Sequence, residues 1–186
     1  MRLFVAVFPP PEVQSAAWAM AEPMRRQGDG VSWVKTENLH YTLRFLGELG
    51  EDGAGRVADA AREASAPRPA FGATLGDLGA FPNPRRARVI WVSLSAGAKA
   101  LIELSRALEE ALRRCGFDRA DHPFSPHLTL GRVRVPNRDW TEPLGRAKIP
   151  NPEPSFVVDR LCVVESQLNP KGSIYRVRAE ALLATG

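Results

Sequence analysis

Apolar residues recur along this chain in runs and alternations that predict a series of β-strands. The first run, residues 3–8, is β-branched and aromatic and ends at a cluster of prolines, which is typical of a buried strand. The same criteria predict strands over residues 31–34, 40–46, 71–78, 88–94, 156–165 and 174–182, and a further strand that starts at His127.

Apolar residues three and four positions apart predict helices between these strands. The clearest helix covers residues 97–114, where four leucines form one stripe and a glycine follows the end. The pattern also predicts a helix from Pro10 or Pro11 to near residues 28–30, a helix over residues 51–64 and a weak helix over residues 137–146.

The order of these elements occurs twice. Strand, helix, loop, a strand that opens with His-x-Thr-Leu, helix and strand follow one another over residues 3–78 and again over residues 89–165. Each half has too few strands to be stable alone. We therefore predict one bilobal domain over residues 1–186: an α+β fold with two pseudo-symmetric antiparallel-sheet lobes, outer helices and a central active-site cleft.

The composition is that of a folded, water-soluble protein, with 44% hydrophobic and 25% charged residues. No apolar stretch is long enough to cross a membrane, and the opening apolar run is too short for the core of a secretion signal. Cys115 and Cys162 lie far apart without a CxxC spacing, which argues against a zinc site or a disulfide framework. We expect a cytoplasmic protein.

The net charge is modestly positive, with 25 Lys and Arg residues against 21 Asp and Glu residues. This balance suits a polyanionic partner without requiring one. Arg85, Arg86 and Arg88 follow a proline-rich turn. They form either a contact for an RNA backbone or a charged turn kept in water, and the sequence favours neither.

The repeated tetrapeptides HYTL (residues 40–43) and HLTL (residues 127–130) carry the candidate chemistry. In an extended strand the first and third side chains share a face. Each half therefore presents one imidazole and one hydroxyl to the cleft: His40 with Thr42, and His127 with Thr129.

Two imidazoles across a cleft suit an in-line displacement at phosphorus, because one can accept a proton from the nucleophile while the other donates to the leaving oxygen. The hydroxyls can bind the non-bridging oxygens. A single histidine on a strand is more often structural, so the inference depends on the duplication. A metal site needs three or four ligands and each motif offers one imidazole, so we predict no metal and no cofactor.

With these motifs in place, the sequence resembles the two-histidine (2H) phosphoesterases, and within them the LigT-like RNA 2′,3′-cyclic phosphodiesterases, also called 2′-5′ RNA ligases. The resemblance runs essentially end to end. It includes MRLFVAV (residues 1–7), ENLHYTLRFLG (residues 37–47), FSPHLTLGR (residues 124–132) and a closing hairpin from Glu165 to Tyr175.

The resemblance implies hydrolysis of a terminal 2′,3′-cyclic phosphate to a 2′-phosphomonoester. It implies that His40 donates a proton to the departing 3′ oxygen, that His127 activates water, and that Thr42 and Thr129 hold the phosphate. The residues alone do not distinguish acid from base, because the repeat makes the two histidines nearly equivalent. The expected partners are RNA with cyclic phosphate ends or small cyclic nucleotides, and the expected state is a monomer.

Two arginines are candidate substrate-binding residues. Arg44 has the same strand parity as His40, which aims it into the cleft. Arg132 lies five residues after His127, a position that matches the family; strict alternation points it away, but a bulge at Gly131 would turn it back.

Three further residues have plainer interpretations. His122 has no counterpart in the repeat and precedes a proline, so we expect a loop residue. Trp33 and Phe124 could stack on a base, although aromatic residues beside strands are more often core.

Two alternative functions stay open: reversible 2′-5′ joining of RNA, and a non-catalytic RNA-binding module.

Overall fold

The computed structural model describes residues 1–26, 30–135, 138–170 and 172–185. Within these residues the helices are α1 (Pro11–Ala21), α2 (Glu51–Ser65), α3 (Ala98–Arg114) and α4 (Thr141–Gly145). The strands are β1 (Arg2–Val7), β2 (Val31–Trp33), β3 (Tyr41–Glu48), β4 (Phe71–Phe81), β5 (Val89–Ala96), β6 (Leu128–Val133), β7 (Ser155–Val158), β8 (Arg160–Gln167) and β9 (Ile174–Leu182).

The strands form two antiparallel sheets, which confirms the α+β prediction. One sheet has the order β3-β1-β8-β9 and the other has the order β2-β6-β5-β4-β7. The histidine motifs occupy corresponding places, because β3 pairs with β1 in one sheet and β6 pairs with β5 in the other.

Each sheet contains strands from both halves of the chain. β2 and β4 come from the first half yet lie in the second sheet, whereas β8 comes from the second half and lies in the first sheet. This exchange explains why the predicted strand over 156–165 is two strands: β7 pairs with β4 in one sheet, and beyond Asp159 β8 pairs with β1 in the other.

Helices α2 and α3 pack against each other and against the sheets. The leucine stripe of α3 is buried, as its spacing predicts, and joins one core with residues of both sheets. Two helices are shorter than predicted. α1 ends at Ala21 and passes into a 3₁₀ turn over Glu22–Met24, where Pro23 cannot continue the α-helical hydrogen bonds.

The predicted end of that helix, near residues 28–30, falls partly on residues 27–29, outside the described residues. The weak helix expected over residues 137–146 reduces to the single turn of α4. No helix in the described part of the chain is both long enough and apolar enough to span a membrane.

Candidate active site

A cleft of about 430 Å³ lies where β1, β3 and β6 approach the hairpin of β8 and β9. It brings together five of the six residues singled out from the sequence. These residues are His40, Thr42, His127, Thr129 and Arg132. The two halves of the chain therefore meet at one site, although their motifs are far apart in sequence.

Each histidine is fixed by the same local hydrogen bond. The Nδ1 atom of His40 lies 2.6 Å from the carbonyl oxygen of Asn38, and that of His127 lies 2.7 Å from the carbonyl oxygen of Ser125. A carbonyl can only accept, so Nδ1 carries the proton in both rings. Nε2 is then the nitrogen of each ring that remains for a ligand.

The backbone before each strand builds this arrangement. His40 and His127 each stand one residue before their strands, β3 and β6, so the carbonyl two residues upstream reaches back to the ring. Asn38, which orients His40, ends a short 3₁₀ turn, and its side-chain Nδ2 donates to the carbonyl oxygen of Ser173 at 2.8 Å. The loop after β8 thus holds the residue that orients His40.

Burial governs the electrostatics of both imidazoles. Desolvation lowers the pKa of His40 to about 4; the bond to Asn38 opposes the shift, and the charges of Arg132 and His127 add to it. Desolvation also lowers the pKa of His127, opposed by its bond to Ser125 and assisted by Arg132. Both rings are therefore mainly neutral near pH 7, and an anion bound beside them would raise both pKa values.

Aromatic side chains wall in the histidines. The His40 ring lies 4.9 Å from Phe4, 5.3 Å from Phe8 and 5.3 Å from Tyr175, centroid to centroid. The His127 ring contacts Phe81 edge-on at 5.2 Å. None of these four aromatic residues was predicted from the sequence to line the site.

Strand parity on β1 could have predicted that Phe4 faces the site. The side chains of β1 that face the core are Leu3, Val5 and Val7, so Arg2 and Phe4 must face the cleft. Arg2 lies with its guanidinium carbon 5.0 Å from the centre of the Phe45 ring. Phe45 is 49% exposed and lines the same cleft.

Arg132 reaches the cleft because β6 contains a bulge. Thr129 pairs with Trp91, Gly131 with Ile90 and Arg132 with Val89, so Leu130 is the extra residue. The bulge reverses the alternation and brings Arg132 to the face of Thr129, as the sequence analysis expected. Gly131 itself is required, since a Cβ there would lie 2.7 Å from Val31 Cγ1.

The expectation that Arg44 points into the cleft is wrong. β3 has the same bulge: Thr42 pairs with Ala6 but Arg44 with Val5, a core residue. Arg44 therefore points to the helix side, where it pairs with Glu109 of α3 at 3.2 Å. Strand parity mispredicts the direction of Arg44 because alternation holds only in a strand without a bulge.

The remaining candidates lie outside this cleft. Trp33 packs between Trp18 and Trp140, at 6.3 and 6.2 Å, so it is a packing residue rather than a stacking platform. Phe124 packs partly against the core, and His122 is exposed in a segment without helix or strand. The loop expectation for His122 is confirmed.

The arginines of the 81–88 turn are exposed, and two of them lie in a 3₁₀ turn over Pro84–Arg86. The turn begins at Phe81, the residue that contacts His127, so it borders the His127 side of the cleft. Among the described residues, no group of three or more His, Cys, Asp or Glu side chains lies close enough to hold a metal ion.

The sequence model of the 2′-5′ RNA ligase superfamily matches residues 9–170. The chain belongs to this superfamily. The family resemblance drawn from the two motifs is thereby confirmed.

Curated members of similar sequence are named RNA 2′,3′-cyclic phosphodiesterase. One from Thermotoga maritima is 32% identical over 186 residues, covering 100% of this chain and 97% of that protein. One from Archaeoglobus fulgidus is 36% identical over 179 residues, covering 95% and 97%.

Solved structures of the superfamily have the same fold. A Thermus thermophilus protein, TT0787, aligns with a TM-score of 0.81 at 29% identity, covering 98% of each chain. Escherichia coli LigT, in a structure described as complexed with 3′-AMP, aligns with a TM-score of 0.77 at 26% identity, covering 98% of this chain and 97% of LigT.

Proposed function

We propose that this chain is an RNA 2′,3′-cyclic phosphodiesterase that produces a 2′-phosphomonoester by acid and base catalysis from two histidines. The observation that carries the proposal is that His40 and His127 line one cleft, each with Nδ1 bonded to a carbonyl and Nε2 left for the substrate. The names of the related proteins support the substrate class.

In the proposed reaction, His127 accepts a proton from water at Nε2 while the water oxygen attacks phosphorus. The bond from phosphorus to the 3′ oxygen breaks, and that oxygen takes a proton from Nε2 of His40. The Nδ1 bond is unchanged throughout, so each ring keeps its orientation while it gains or loses a proton.

The roles of acid and base follow the family resemblance. His40 must be protonated to act as the acid, yet burial lowers its pKa to about 4. The negative charge of the bound phosphodiester supplies the missing stabilisation of the imidazolium. The proposal thus requires substrate binding to raise the pKa of His40.

Thr42, Thr129 and Arg132 hold the phosphate in this proposal. They line the cleft on the strands that follow the histidines, and Arg132 is close enough to lower the pKa of both rings. A guanidinium binds two phosphate oxygens at once. Phe45 and Tyr175 are the cleft aromatics that can contact the nucleoside.

The test is incubation with 2′,3′-cyclic AMP and with an RNA oligomer that ends in a 2′,3′-cyclic phosphate, in the presence of EDTA. We expect hydrolysis to the 2′-monoester in both cases. A 3′-monoester would contradict the assignment of the leaving oxygen, and lack of hydrolysis of either substrate would contradict the proposed function.

The superfamily name favours one second activity, the reversible joining of RNA ends through a 2′-5′ bond. An RNA hydroxyl would replace water, and the same groups would run in reverse. Water is far more concentrated, so we propose hydrolysis as the main direction. If the protein were instead a non-catalytic RNA-binding module, its affinity for RNA would stay the same after both histidines are replaced.

We further propose that residues 1–186 act as one unit, since each sheet contains strands from both halves. The proposed state is a monomer in the cytoplasm, in keeping with two free cysteines, Cys115 and Cys162. Sedimentation of the purified protein tests the monomer, and fractionation of cells that express it tests the compartment.

A further inference from the structure

Residues 118–126 lead directly to His127 and have no helix or strand. Helix α3 is closed by the amide of Phe117, which donates to the carbonyl of Leu112 at 3.0 Å. Beyond it, no bond between two main-chain groups of the described residues involves residues 118–126. Something other than the backbone must therefore hold this segment, which also supplies the Ser125 carbonyl that orients the His127 ring.

Phe124 packs partly against the core, and two charged side chains provide the polar attachment of the segment. Nη2 of Arg44 donates to the carbonyl oxygen of Asp118 at 2.6 Å, and the amide of Ala120 donates to Oε2 of Glu109 at 3.2 Å. Nη1 of Arg44 lies 3.2 Å from Oε1 of Glu109. The pair thus joins β3, α3 and the segment before His127.

The environment makes this pair more than a surface contact. The side chains of Arg44 and Glu109 are 11% and 26% exposed, so their charges are less screened than those of exposed pairs. Neither residue lines the cleft that His40 and His127 share, although Arg44 lines a neighbouring cavity that also borders Thr42 and His127. Arginine suits the place because its planar fork can serve two acceptors at once, which a lysine ammonium does less well.

We propose that Arg44 is a positioning residue: together with Glu109 it fixes the segment that delivers His127, and it does not bind the substrate. This inference rests on the proposed role of His127. It also links the two motifs mechanically, since Arg44 lies on the strand that follows His40 and holds the segment that precedes His127.

The kinetic test compares Arg44→Met, Arg44→Lys and Glu109→Gln with the unchanged protein on 2′,3′-cyclic AMP. Displacement of a reacting group by a fraction of an ångström to 1 Å lowers the rate of the chemical step, so we expect kcat to fall on the order of 10-fold to 100-fold in Arg44→Met, with KM nearly constant. Glu109→Gln loses the charge but keeps an oxygen that can accept from the Ala120 amide, so its loss of kcat should be smaller. Arg44→Lys should keep only part of the activity of the unchanged protein.

The matched control is Arg178→Met. Arg178 is likewise a strand arginine, on β9, paired with a helix glutamate, Glu51 of α2, at 3.0 Å. It does not contact residues 118–126, so kcat should stay unchanged while stability falls slightly.

A second measurement does not depend on activity. Amide hydrogen exchange at Ala120 should become faster in Arg44→Met and in Glu109→Gln but not in the control, and the NMR titration of the His127 ring should shift while that of His40 stays in place. If the unchanged protein hydrolyses no cyclic phosphate, the proposed function fails while these readouts still decide the positioning role.

A different kinetic result would overturn the proposal. If Arg44→Met raised KM with kcat unchanged, Arg44 would be a substrate-binding residue. Unaltered exchange at Ala120 in both variants would equally show that the pair does not hold the segment.

Discussion

Phe45 and Arg132 occupy equivalent positions in the two halves of the cleft. Each lies five residues after its histidine, and each reaches the cleft because one leucine, Leu43 or Leu130, is bulged out of the strand. The cleft therefore has a histidine on each side but different side chains five residues further on, an aromatic ring after His40 and a cation after His127. This difference predicts separate consequences for the two side chains.

Replacing Arg132 with Met should weaken binding of the phosphate itself. Loss of a charged hydrogen-bonding partner predicts a rise in KM on the order of 10-fold to 100-fold, with a parallel loss of affinity for inorganic phosphate measured by calorimetry. Arg134→Met is the control, because Arg134 is exposed, bonds to Ser32 and lies outside the cleft. Unchanged phosphate affinity in Arg132→Met would contradict the assigned contact.

Phe45→Ala should weaken binding of the nucleotide without weakening binding of inorganic phosphate. Loss of a stacking surface predicts a KM for 2′,3′-cyclic AMP that is higher by roughly 10-fold, whereas affinity for inorganic phosphate should not change. Equal losses for the nucleotide and for phosphate would show instead that the substitution disturbs the whole cleft.

Substitution of either cleft histidine should abolish most turnover. We expect His40→Ala and His127→Ala each to lower kcat on the order of 10²-fold to 10⁴-fold, since each removes one proton transfer. His122→Ala is the control for loss of an imidazole, because His122 is exposed, does not line the cleft and makes neither of the bonds that attach residues 118–126. Retention of full activity by either cleft variant, with the fold verified by circular dichroism, would rule out the two-histidine mechanism.

The pKa of His40 predicts how stability depends on pH. The ring titrates near 6.5 in the unfolded chain and near 4 in the folded protein. Between these values the unfolded state binds the additional proton, so the free energy of unfolding should fall as the pH drops from about 6.5 to about 4. His40→Gln should have a flatter profile in urea unfolding over this range, and parallel profiles would contradict the depressed pKa.

Most of the site could be predicted from the sequence because it depends on duplication. The two motifs at matching offsets identified His40 and His127, and alternation along a strand put Thr42 and Thr129 beside them. The β-bulges of β3 and β6 were harder to predict. A bulge was inferred at Gly131 to bring in Arg132, but the same reasoning was not applied to the first copy, where it would have exchanged Arg44 for Phe45 as the cleft residue.

Other features depend on contacts that no local pattern encodes. The exchange of strands between the sheets, and hence the break at Asp159, follows from pairing between distant segments. The place of Tyr175 against His40 likewise depends on a hairpin that follows the second motif. Local periodicity correctly predicted the core of α3, because a helix buries one stripe whatever its neighbours are.

A crystal structure with 2′-AMP bound would show whether both imidazoles act on one phosphate group. We expect phosphate oxygens within hydrogen-bonding distance of Nε2 of both His40 and His127, with Arg132 on the same group. A phosphate that contacts only one of the two rings, or that binds outside this cleft, would contradict this expectation.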